Sequence, residues 1–175
     1  MAYFKRFQAD AKRGQFMRVK FAVLGEPQGK GRPIFSTWNG RVSARTPPKT
    51  VAYEKDIQAM YRRAHPNRSF PEGTMLDLRV LAYFGVPNSA SQRKRAEMLA
   101  GGIRPTKKPD ADNILKVVAD SLNGLAYYDD SQVVDTQIRK YYSSKPRIEI
   151  IIQEIGNSHE QLTIKNHEPT TFNHE

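Results

Sequence analysis

The chain has 175 residues, no cysteine, a 38% hydrophobic fraction and a formal net charge of +10. That is the size of one domain with enough apolar material for a core. It excludes disulfide scaffolds and thiolate metal centres, and no apolar run approaches the length of a membrane span. The basic surplus fits a polyanionic partner, most commonly nucleic acid held in a salt-sensitive way, although a merely basic soluble protein has the same balance.

In chain order, residues 1–15, with Lys5, Arg6, Lys12 and Arg13, show little periodicity and read as a basic N-terminal arm. No apolar core of a secretory signal is present, so the cytoplasm is the expected compartment. From Met17, alternation puts Met17, Val19, Phe21 and Val23 on one face of a strand over 17–24, opposite Arg18 and Lys20. The turn Gly25-Glu26-Pro27-Gln28-Gly29-Lys30-Gly31-Arg32-Pro33 follows. Its glycine spacing is too short for a nucleotide-binding P-loop and the hydroxyl after the lysine is missing, so no nucleotide cofactor is expected. Glycines allow close backbone approach, and Lys30 and Arg32 supply charge for a DNA phosphate; a solvated turn is the plain alternative.

Strands over 33–36 and 41–44 flank Asn39-Gly40, a strong hairpin signal. Trp38 near the tip is expected to pack, because buried aromatic area is the larger energetic gain; wedging against a base is the alternative. Thr46-Pro47-Pro48 opens a helix over 48–64 with Tyr53, Ile57, Met60, Tyr61 and Ala64 as its apolar stripe, stopped at His65-Pro66. Alternation over 75–86 predicts the plainest strand in the chain. Ser89 or Ser91 caps a helix over 90–100, whose Arg93, Lys94 and Arg95 are a solvated face or part of a DNA channel with Arg104, Lys107 and Lys108.

The stretch Thr106-Lys107-Lys108-Pro109-Asp110-Ala111-Asp112-Asn113-Ile114-Leu115-Lys116 carries the chemistry. Asp110 and Asp112 lie two apart, so an extended backbone would turn both carboxylates to one side. From Asp112, helical spacing sets Ile114, Leu115, Val118 and Leu122 against a polar face of Asp112, Lys116 and Asp120, in a helix over 112–123 ending at Asn123-Gly124. Asp129 and Asp130 follow. Aspartates from two stations suit a hard divalent cation, which completes its shell with water and phosphate, and a lysine one turn beyond adds a cation at the phosphate. Ordinary surface pairs and a turn aspartate would produce the same D-x-D pattern. An EF-hand is excluded because its third ligand position falls on Ile114.

Asp110-Ala111-Asp112-Asn113-Ile114-Leu115-Lys116, followed by Tyr128-Asp129-Asp130-Ser131-Gln132-Val133 and preceded by the basic turn at Pro27–Pro33, resembles the signature of the RusA family of Holliday junction resolvases. The resemblance spans roughly 17–153. It implies a Mg²⁺-dependent endonuclease, with Mn²⁺ as a substitute, acting as a homodimer on four-way branched DNA. By that resemblance Asp110, Asp112 and Asp130 coordinate metal and Lys116 is an essential cation, with Asp129 ranked lower; the DNA backbone is assigned to Lys30, Arg32, Arg104, Lys107 and Lys108. The alternatives are a non-catalytic basic DNA-binding module and a metal nuclease acting on other branched or single-stranded DNA.

Strands over 132–142 and 147–153, joined across Ser143-Ser144-Lys145-Pro146, read as an antiparallel pair. From Gly156 the chain is polar and aperiodic and holds His159, His167 and His174, leaving His65 as the histidine of the body. The expected architecture is a single α+β domain over 16–155, with a mixed, largely antiparallel sheet and about three helices, between a basic arm at 1–15 and a disordered tail at 156–175.

Overall fold

Alternating side chains define the first strand, β1 (Arg18–Leu24), in the computed structural model, which describes residues 16–156. The arm at 1–15 and the tail from 157 onward lie outside the described residues. In β1, Val19, Phe21 and Val23 are buried and Lys20 faces solvent, as the period of two requires.

β2 (Ile34–Trp38) and β3 (Arg41–Arg45) pair antiparallel as a separate two-stranded ribbon. Asn39 and Gly40 both take positive φ, 46° and 71°, the backbone that a two-residue hairpin turn needs. The ribbon contributes nothing to the core. Trp38, expected to pack, is instead 80% exposed, because the ribbon is a sheet of its own and no other layer of the described residues covers it.

Pro48 sits in the first turn of α1 (Pro48–Ala64), where a missing N–H costs nothing. Tyr53, Ile57 and Tyr61 recur every fourth residue and are buried, while Ala64 at the helix end is exposed. β4 (Leu76–Gly85) alternates along its whole length, with Leu76, Leu78, Val80, Ala82 and Phe84 all buried. α2 (Gln92–Leu99) is capped by Ser91, whose Oγ accepts from the Lys94 N–H. α3 (Ala111–Leu122) buries Ile114, Val117, Val118 and Leu122. A 3-10 turn at Asp130–Gln132 then leads into β5 (Val133–Ser143) and β6 (Arg147–Glu154).

The main sheet has the order β1-β6-β4-β5. Its β1–β6 and β6–β4 pairings are antiparallel and β4–β5 is parallel, which makes it mixed and largely antiparallel. One apolar core joins the inner faces of β1, β4 and β6 to α1 and α3, so the domain is α+β with two layers.

β5 and β6 do not pair with each other, contrary to the sequence expectation, because β4 lies between them. The strand spacing is roughly 4.8 Å, so the link must cross about 10 Å, within the reach of the extended residues 144–146. A glycine at the end of β4 leaves room for that crossing: a Cβ at Gly85 would lie 3.3 Å from Pro146 Cγ and 2.5 Å from Glu26 Oε1.

Candidate functional site

The acidic stretch is anchored before its helix begins. Lys140, on β5, donates from Nζ to the carbonyl oxygens of Lys107 (2.6 Å) and Pro109 (3.0 Å). Arg104 Nε donates to the Lys140 carbonyl oxygen at 2.9 Å, and its guanidinium lies 4.4 Å from the centre of the Tyr141 ring. Lys107 Nζ lies 5.7 Å from the Phe84 ring centre. β5 thus fixes the backbone that delivers Asp110. Nothing in the sequence pattern marks Lys140 for this task, since it is one cation among several in a strand.

Asp110 is the N-cap of α3, with φ −67° and ψ 153°, and its side chain makes no capping hydrogen bond. The helix starts one residue earlier than the spacing predicts. Only Asp110 is therefore extended, and Asp112 belongs to the first turn, where exposed N–H groups and the helix dipole favour a carboxylate. Asp110, Asp112 and, one turn on, Lys116 are exposed and, among the described residues, take part in no side-chain hydrogen bond or ion pair. Asp120, a further turn along, is different: its Oδ2 is 2.7 Å from Lys30 Nζ.

The second acidic station divides the same way. Asp129 accepts from the Ser131 N–H at 2.9 Å and forms a capping box with Gln132, whose Oε1 accepts from the backbone N–H groups of Tyr128 and Asp129. The hydrogen bonds from Ser131 hold the Asp129 carboxyl below the usual range. Asp130, its neighbour, is exposed and makes no side-chain hydrogen bond among the described residues. Tyr127 donates to the Ala119 carbonyl oxygen at 2.8 Å; burial first, then the negative fields of Asp130 and Asp120, push its hydroxyl well above the usual tyrosine range. Asp130 is thus near enough to act on Tyr127, whose hydroxyl is bonded to α3 at Ala119, while Asp110 caps the start of that helix and Asp112 lies in its first turn.

Among the described residues, no three Asp, Glu or His side chains form a group able to hold a metal ion by themselves. The donor chemistry still fits a hard cation. Carboxylate oxygens are the right type, and Mg²⁺ commonly takes one or two protein carboxylates and fills its shell with water and substrate phosphate.

The wall facing Asp110 is the glycine turn. The Lys30 N–H donates to the Asn113 carbonyl oxygen at 2.8 Å. A Cβ at Gly29 would lie 2.9 Å from Pro109 Cβ and 3.0 Å from Asn113 Cβ, and one at Gly31 would lie 2.8 Å from Thr50 Oγ1. The glycines therefore permit contact that larger residues would block. Between turn and helix runs a cleft of ≈ 590 Å³, lined by Gly29, Arg32, Lys49, Lys108, Asp110 and Asn113 among others. A second hollow of ≈ 440 Å³, beside Tyr128 and Asp129, has no Lys or Arg in its lining and suits a phosphate poorly.

Of the cations expected at DNA, Arg32 and Lys108 line the cleft and are exposed. Lys30 lines it too, but its ammonium sits between Glu54 Oε1 at 2.6 Å and Asp120 Oδ2 at 2.7 Å. Partial burial opposes that charge, and the hydrogen bonds and fields of Asp120 and Glu54 outweigh it, raising the Lys30 pKa. Arg104 and Lys107 have their charged groups over aromatic rings. Sequence reasoning missed Asn113, Lys49 and Lys140, of which Lys49 alone had a usable signal, its place in a long stretch without acids.

Residues 25–153 match the protein family described as Endodeoxyribonuclease RusA. The chain is 40% identical over 140 residues to the Bacillus subtilis (strain 168) protein named Uncharacterized protein YqaN, covering 79% of this chain and 97% of that one. It is also 32% identical over 100 residues to the protein of Lactococcus phage r1t named Crossover junction endodeoxyribonuclease rusA, covering 57% of this chain and 70% of the phage protein.

Proposed function

This chain belongs to the RusA endodeoxyribonuclease family, and we propose that it resolves four-way DNA junctions by paired phosphodiester hydrolysis, as a homodimer with Mg²⁺ as cofactor. The observation that carries the reading is a contrast among aspartates. Asp120 and Asp129 are engaged by Lys30 and by Ser131. Asp110, Asp112 and Asp130 are exposed and, among the described residues, make no side-chain hydrogen bond or ion pair, in a chain with an excess of cations.

In this reading Asp110 and Asp112 hold the metal at the helix end and Asp130 supplies a carboxylate from the second station. Bound there, Mg²⁺ or Mn²⁺ would lower the pKa of a coordinated water and offset charge on the phosphate. Lys116, one turn beyond Asp112, places a positive charge where the scissile phosphate gains negative charge. Arg32 and Lys108 at the cleft hold flanking phosphates. The Lys140 and Lys30 bonds keep helix and turn at fixed separation, so the substrate meets a prepared surface. A four-way junction offers two related strands, and a two-fold dimer presents two sites with matching symmetry.

The test is cleavage of a synthetic four-way junction against linear duplex, with and without Mg²⁺. Asp112→Asn is expected to abolish cleavage, a fall of at least about 1000-fold if the carboxylate is essential to metal chemistry, while junction binding is kept. Near-normal cleavage by that variant in Mg²⁺ removes the proposal.

A further inference from the structure

The β2–β3 ribbon is used neither by the core nor by the chemistry of the cleft. Every residue from 32 to 46 is exposed, among them Phe35 (68%), Trp38 (80%) and Val42 (70%). A two-stranded ribbon on which none of the other described residues forms a covering layer is marginal in water by itself, and so large an apolar surface on it indicates a contact surface.

Its register separates two kinds of face. Trp38 pairs with Arg41, Ser36 with Ser43 and Ile34 with Arg45, and alternate pairs in a ribbon share a side. One side therefore carries a tryptophan, an isoleucine, two arginines and two serines, and the other carries Phe35, Thr37, Val42 and Ala44. The Ser36 and Ser43 hydroxyls are hydrogen-bonded to each other at 2.7 Å, which ties the two strands at the middle of the polar side.

Charge identifies the occupant. Between Glu26 and Glu54 there is no aspartate or glutamate, while Lys30, Arg32, Arg41, Arg45 and Lys49 all fall there. The ribbon is rooted at the cleft: Arg32 at its entry and Pro47 and Lys49 past its exit both line it. A cationic arm extending from a phosphate-binding cleft matches a nucleic acid backbone. A two-stranded ribbon also has the width that a DNA groove accepts.

We propose that the β2–β3 ribbon is a second DNA-contacting element, with Arg41 and Arg45 on backbone phosphates and the Trp38 indole stacked on a base left unstacked at the branch point. This rests on the junction-cleaving reading and adds what that reading lacks, a residue that distinguishes branched from continuous duplex. A base at a branch point has an accessible aromatic face, whereas an intact duplex gives Trp38 none without paying for unstacking.

The experiment measures binding in EDTA to a four-way junction with 2-aminopurine at the branch point and to linear duplex of the same length. Trp38→Ala is expected to weaken junction binding roughly 5- to 100-fold, as loss of one base–aromatic stack does. It should leave duplex binding within about twofold and abolish the fluorescence change at the branch; Trp38→Phe should keep most of both. Arg41→Gln with Arg45→Gln should weaken both DNAs alike and flatten the slope of log K against log salt by about 2.

Wild-type junction affinity and fluorescence in Trp38→Ala would overturn the proposal. So would ribbon variants that change the oligomeric state by light scattering and leave DNA affinity intact, which would assign the ribbon to a second copy of the chain. Cleavage by the wild type is scored separately in Mg²⁺, so failure of the nuclease reading is told apart from failure of this one.

Discussion

β4 and the β2–β3 ribbon are both plain strands in the sequence, yet they owe their conformation to different forces. Along β4 alternation is alternation of burial, with Leu76, Leu78, Val80, Ala82 and Phe84 closed off from water. Along the ribbon it is alternation of chemistry, with arginines and tryptophan on one side and Phe35 and Val42 on the other, and both sides wet. Hydrophobic burial holds β4; an Asn-Gly turn and cross-strand bonds hold the ribbon. A strand pattern thus predicts extended backbone in either case, and only the packing shows whether the residues serve stability or contact.

The sharpest way to break this comparison is truncation at matched positions. Leu78→Ala is expected to cost about 2–5 kcal/mol in urea unfolding, as buried leucines do. Val42→Ala should stay within about 0.5 kcal/mol. Comparable losses would show that the ribbon belongs to the cooperative unit. A smaller effect separates the engaged cations from the ribbon's cations. Lys30→Ala leaves Glu54 and Asp120 without their ammonium and should cost about 1–2 kcal/mol, after allowing for solvent screening of these partly exposed groups. Glu54→Gln in the same chain should recover part of that, and Arg41→Ala should cost no measurable stability.

The smallest expected effect is in pH dependence. Burial works against the Glu149 charge, but hydrogen bonds and the fields of Lys20 and Arg147 more than offset it, so its folded pKa lies below the ordinary 4.5. Its contribution is therefore complete above pH 4.5 and lost as pH falls through the folded value. Unfolding midpoints followed below pH 5 should show a shallower decline for Glu149→Gln than for the wild type. The ribbon, having no carboxylate, should add nothing to that slope.

The elements legible in the sequence were those whose pattern is local. β1, β4 and α1 show their periods, Asn39-Gly40 names its own turn, and the acidic cluster reads as a helix entry to within one residue. Three features were not legible, for identifiable reasons. β5 and β6 have the same alternation whether they pair or flank a third strand, so their residues do not report that β4 intervenes. Trp38 was expected inside because aromatic burial usually dominates, and whether a hairpin folds back onto the core depends on contacts its own residues do not encode. Lys140 acts by donating to the carbonyl oxygens of Lys107 and Pro109, 31 to 33 residues away in the chain, a long-range relation without a motif. Within the candidate site, residue types and helix-end placement were readable. Which aspartates are engaged by neighbours, Asp120 by Lys30 and Asp129 by Ser131, was not.

The strand order has a further consequence for how the protein is made. Among the described residues, β1 is hydrogen-bonded to the rest of the sheet through β6 alone, and β6 is the last strand in chain order. A nascent chain still holding Arg147–Glu154 inside the ribosome can set β4 beside β5, but it cannot attach its own beginning. The wall of the cleft that grows out of β1 therefore has no sheet to stand on until β6 has emerged, and a copy without β6 presents only half of that cleft.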